Sequence, residues 1–116
     1  MKSRFLIYAL SAMFASTAFA ADDFLAAAPG HTKVLKEDAK VRVIEFKAKK
    51  GDKIPMHSHP AHVVYFIKAG KTKFSFPDGS AREAKANDGE ALINPAIEHA
   101  QEHLEDVHVI LVEIKQ

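Results

Sequence analysis

The stretch Gly51-Asp52-Lys53-Ile54-Pro55-Met56-His57-Ser58-His59-Pro60-Ala61-His62-Val63-Val64-Tyr65-Phe66-Ile67 decides how the rest of the chain is read. It opens on a Lys50-Gly51-Asp52 turn and closes in an apolar, β-branched and aromatic run, the composition of a strand. Alternate residues of a strand point to the same side, so His57 and His59 can present two imidazoles to one point in space, which is half a metal site. Pro60 interrupts the ladder and lets the chain turn, so that His62, at the start of the next strand, can point back to the same centre. His99 has to reach it by folding.

Outward from that stretch, turn chemistry recurs every eight to twelve residues, at Ala69-Gly70-Lys71, Pro77-Asp78-Gly79 and Asn87-Asp88-Gly89. Such spacing predicts an all-β sandwich or barrel. Strands are expected over Val41–Phe46, Val63–Ile67, Thr72–Phe76, Ala91–Ile93 and Val107–Ile114, several with clean alternation. In the last, His108, Ile110, Val112 and Ile114 oppose Val109, Leu111 and Glu113. Ala81 to Ala86 has helical propensity, but it follows a Pro-Asp-Gly turn directly and reads as the return strand of a hairpin. No helix is expected beyond the leader.

The quoted stretch resembles the first motif of the cupin family, G-x5-H-x-H-x3,4-E-x6-G, and Gly89-Glu90-Ala91-Leu92-Ile93-Asn94-Pro95-Ala96-Ile97-Glu98-His99 resembles the second, G-x5-P-x-G-x2-H-x3-N. The resemblance implies a double-stranded β-helix, or jelly-roll barrel, over residues 33–116, and a metal held by the two motifs. His57, His59 and His99 match the family's histidine ligands. Where the family has a ligating glutamate, the role falls to His62, one position earlier. Ile97 replaces the second motif's glycine, the spacing to His99 is one residue shorter, and His103 stands in place of asparagine. A four-histidine and a three-histidine site are both open.

Composition narrows the chemistry. The chain has 116 residues, 16 Lys and Arg against 15 Asp and Glu, and no cysteine. This balance leaves no electrostatic footprint for nucleic acid, and disulfides and thiolate ligands are excluded. Neutral imidazoles suit one divalent transition metal, Zn, Fe, Mn, Cu or Ni, and disfavour Mg and Ca. His31 and His103 read as solvated, His108 as a hydrogen-bonded strand residue, and Glu98 as facing away from His99.

At the start, Lys2 and Arg4 precede an apolar run from Phe5 to Ala15 and the small-x-small triplet Ala18-Phe19-Ala20. That order fits a secretory signal peptide over residues 1–20. The run is shorter than the roughly 20 residues needed to span a bilayer, so no membrane association is expected after cleavage, and the location is periplasmic or secreted. Residues 21–32 are expected to form a loosely ordered arm.

The inferred pocket is apolar, lined by Val64, Phe66, Phe74, Phe76 and Ile93, and suits a small, partly apolar ligand or substrate. Two functions stay open: a metal-dependent enzyme with oxygenase-type chemistry, or a non-catalytic metal- or small-ligand-binding module. Against catalysis, the sequence offers no evident acid or base beside the histidines. A homodimer through an exposed apolar sheet face is common in such architectures.

Overall fold

Short alternating segments separated by glycine turns fold as antiparallel strands in the computed structural model, which describes residues 21–115. The expected signal peptide over residues 1–20 lies outside the described residues. The elements are β1 (Asp22–Asp23), α1 (Phe24–Ala27), β2 (Thr32–Glu37), β3 (Val41–Ala48), β4 (Lys53–His59), β5 (His62–Lys68), β6 (Thr72–Ser75), β7 (Ala81–Ala84), β8 (Ala91–Asn94), β9 (Ile97–His103) and β10 (Val107–Ile114). No helix among the described residues is long and apolar enough to cross a membrane. Gly79 and Gly89 take φ values of 89° and 83° at their turns, a region that a Cβ disfavours.

Two five-stranded sheets face each other, in the orders β1-β4-β9-β6-β7 and β2-β3-β10-β5-β8. Apart from the β2–β3 and β6–β7 neighbours, consecutive strands fall in different sheets and distant strands pair: β10 runs antiparallel between β3 and β5. Ile44, Phe46, Ile54, Val64, Val107, Val109 and Leu111 fill the interior. Ala81–Ala84 is the return strand of the β6–β7 hairpin, as its turn predicts.

Two expectations are corrected. The arm over residues 21–32 is not loose, and it contains a four-residue helix where none was expected. Asp22 and Asp23 pair in parallel with His57 and Ser58. Phe24 is 1% exposed, its ring 5.2 Å from that of Phe46. Burying an aromatic ring supplies the free energy that an Ala-rich segment lacks. Asp23 caps the helix by accepting from the Leu25 amide, and its other oxygen accepts from Arg42. Ile93 is the second correction: it is 84% exposed and lines nothing. It pairs with Val63 on the outer face of β8, so its neighbours Leu92 and Asn94 face inward instead.

Candidate metal centre

The site is assembled by register. Across β4 and β9, His57 stands directly opposite His99, so the unpredictable step in bringing His99 to the centre is the pairing of these two strands. A register irregularity between Ile54 and His57 sets the phase in which Ile54, His57 and His59 are all buried. One potential donor atom from each of His57, His59 and His99 lies within 4.8 Å of the others, and all three residues are buried. On the facing sheet a second cross-strand row runs Arg42, Glu113, His62, Asn94 over β3, β10, β5 and β8.

Hydrogen bonds fix which ring nitrogens face the centre. His57 Nδ1 donates to the Pro55 carbonyl at 2.7 Å, and His62 Nδ1 to that of Pro60 at 2.8 Å. His59 Nδ1 donates to Glu113 Oε2 at 2.9 Å. With Nδ1 protonated, each Nε2 carries a lone pair. The Nε2 atoms of His57 and His99 are buried and have no hydrogen-bond partner among the described residues. Buried ring nitrogens without a partner are costly, and two of them in a cluster whose potential donor atoms lie within 4.8 Å of one another suit a cation that accepts a lone pair from each.

The electrostatics match. Burial pushes His57 down to about 4, and burial together with His57, His59 and His62 pushes His99 down to about 3. Burial also lowers His62. Imidazoles held neutral at pH 7 need lose no proton to ligate a metal. His62 is not one of the three residues whose potential donor atoms all lie within 4.8 Å of one another, although its ring centroid is 4.7 Å from that of His59; its Nε2 is 3.4 Å from the Asn94 amide nitrogen.

Sequence reasoning missed Glu113. It is 1% exposed, and its carboxylate is held between His59 and the Arg42 guanidinium, 2.7 Å from Arg42 Nη2. Burial alone would raise its pKa, but the hydrogen bonds from His59 and Arg42 outweigh burial and lower it, so Glu113 is an anion. A carboxylate behind a ligating histidine orients the ring and raises its basicity. The signal was present in the alternation of the last strand, which puts Glu113 on the same face as Val109 and Leu111.

His103 is also corrected: it is buried rather than solvated, and burial lowers its pKa to about 4. Its strand brings it inward on the same face as His99. His108 bonds Glu45 at 2.8 Å, as a strand histidine should.

Behind the histidines lies a cavity of about 500 Å³, within the range of small-molecule sites. Val64, Phe66, Phe74 and Phe76 line it as expected, joined by Phe24 and Phe46. The Phe74 ring lies 5.0 Å from that of His99, so the apolar wall runs up to the metal-ligand candidates.

No sequence-family model matches the chain, and no curated protein matches it. Solved structures do. A cupin domain from Bordetella pertussis superposes with a TM-score of 0.66 at 21% identity, over 73% of this chain and 92% of that one. A cupin-2 domain-containing protein from Shewanella frigidimarina gives 0.54 at 18% identity, over 74% and 81%. An RmlC-like cupin from Desulfovibrio desulfuricans gives 0.53 at 18% identity, over 89% and 97%. With its paired five-stranded sheets and a histidine cluster on two adjacent strands of one sheet, the chain has the fold of a small single-domain cupin.

Proposed function

We propose that this chain is a periplasmic or secreted protein that holds one divalent transition metal on His57, His59 and His99 and presents it to a small, partly apolar molecule in the adjoining cavity. The observation that carries this reading is the pair of buried, unpartnered Nε2 atoms of His57 and His99, beside the third histidine and against an aromatic wall. Three neutral imidazoles leave a bound divalent ion its full charge and a position for a ligand, which suits Lewis-acid or oxygenase-type chemistry. His57, His59 and His99 hold neutral donors in place, Glu113 orients His59, and the phenylalanines exclude water. His62 faces Asn94 and serves as a fourth ligand only if its ring turns from that contact.

The test is metal analysis of untagged protein, expected to return about one metal per chain. His57→Ala and His99→Ala should each abolish uptake, while His31→Ala should leave it unchanged. His62→Ala should weaken binding less than either ligand variant; equal losses would make His62 a ligand. Oxygen uptake by the iron-loaded protein with small carbonyl and phenolic compounds then separates enzyme from binder.

A further inference from the structure

The cavity carries a second polar row, separate from the histidine cluster. On β9, His99, Gln101 and His103 alternate toward the interior, which puts Gln101 about 7 Å along the strand from His99. Gln101 stands directly opposite Phe74 on β6, and Phe74 stands directly opposite Arg82 on β7. Directly opposed residues share a face, so Gln101, Phe74 and Arg82 form one line across the cavity wall, and all three line the cavity.

The Gln101 amide is oriented from behind. Thr72 Oγ1 lies 3.2 Å from His103 Nδ1, and His103 Nε2 lies 3.1 Å from Gln101 Oε1. In a neutral His103 the hydroxyl donates to Nδ1 and Nε2–H donates to the amide oxygen. The Gln101 oxygen is therefore committed, and its NH2 group, with no partner among the described residues, is left to donate. Across Phe74, the Arg82 guanidinium makes no ion pair among the described residues. The two other charged groups on this wall are engaged: Lys85 pairs with Glu105 at 2.9 Å, and Glu90 accepts from the Asn87 amide at 2.9 Å. A donor amide and an unpaired cation flanking an aromatic ring form a receptor for an acceptor-rich anion carried on a flat body.

We propose that Gln101 and Arg82 are the specificity-determining anchor of the cavity, and that its ligand is a small, flat carboxylate whose opposite end reaches the histidine centre. This deepens the reading above and rests on it for the metal-facing end only.

A matched pair of probes tests the anchor: benzohydroxamate, whose hydroxamate binds metals, and 4-carboxybenzohydroxamate, which adds only the distal carboxylate. On metal-loaded protein of measured metal content, calorimetry should show the carboxylated probe binding about ten-fold tighter or more, the scale of one charge-assisted contact. Arg82→Met, at an exposed position, should remove that gain and leave benzohydroxamate binding unchanged. Gln101→Glu keeps the acceptor for His103 and should reverse the preference. Equal affinity of the two probes for the parent protein, a gain that survives Arg82→Met, or no binding of either probe to metal-loaded protein overturns the proposal. Should the chain take up no metal, which defeats the metal reading alone, benzoate and benzamide replace the pair on metal-free protein. A benzoate preference lost in Arg82→Met then supports the anchor, and equal binding overturns it.

Discussion

Replacing Glu113 separates its part in stability from its part at the metal. Its carboxylate receives Arg42 Nη2 at 2.7 Å and His59 Nδ1 at 2.9 Å, at a position 1% exposed. Glu113→Ala removes both bonds and leaves a guanidinium facing a void. Breaking a buried pair from one side costs about 3–5 kcal/mol. Asp23 still holds Arg42 through an outer contact, which places the expected loss toward the lower end. Glu113→Gln keeps the shape but offers one acceptor to two donors, so one contact becomes a donor facing a donor, costing about 1.5–3 kcal/mol. Both variants leave His59 without a charged partner, and the loss of such a group behind a ligand weakens metal binding about 10- to 100-fold. Urea unfolding of metal-free protein reads the first effect, and competition against a chromophoric zinc chelator reads the second. Glu113→Ala within about 0.5 kcal/mol of the parent, or Glu113→Gln with undiminished zinc affinity, would refute the role given to this carboxylate.

Further outcomes follow from the same contacts. Phe24→Ala should destabilise the domain by about 3–5 kcal/mol and weaken metal binding, because the ring packs 4.9 Å from His57 and 4.5 Å from His59; a melting temperature unchanged by the substitution would return the segment to the status of a loose arm. Metal-free protein should lose stability on acidification. The folded-state values near 3 to 4 for His57, His99 and His103 lie below the ordinary 6.5, so the unfolded chain binds more protons; stability is complete above about 6.5 and falls toward pH 4, each histidine contributing up to ~1.4 kcal/mol per pH unit. Equal urea midpoints at pH 7.5 and 5.5 would contradict this. Intact mass of exported protein should show Met1 to Ala20 removed; a mature chain that retains Met1 would end the signal-peptide assignment.

What was legible in the sequence was whatever depends on neighbours along the chain. Alternation and turn glycines marked the strands of the interior, and two motifs marked His57, His59 and His99. The errors share one cause, that partners across the sheets are invisible to a local reading. Ile93 has the apolarity of a lining residue, but pairing with Val63 places it outside. His103 sits among acidic neighbours in sequence, yet the phase of β9 turns it inward to Thr72 and Gln101. For Glu113 the alternation gave a face but no role, because its partners Arg42 and His59 come from β3 and β4. Phe24 was hidden by its setting, since an Ala-rich segment gives no periodicity to show that its one aromatic ring is anchored.

The position of β10 between β3 and β5 has a consequence for biogenesis. Val107 to Ile114 must return to strands that left the ribosome 40 to 73 positions earlier, from the His108–Lys68 pair to the Ile114–Val41 pair, and such remote pairings form slowly because loop closure precedes any reward. Glu113 is on that last strand, and until it docks, His59 lacks its carboxylate and the sheet carrying Arg42 and His62 is split in two. A nascent or truncated chain therefore owns every histidine of the cluster without the frame that aims them, and a metal held there as proposed would be captured selectively only after the last strand has docked.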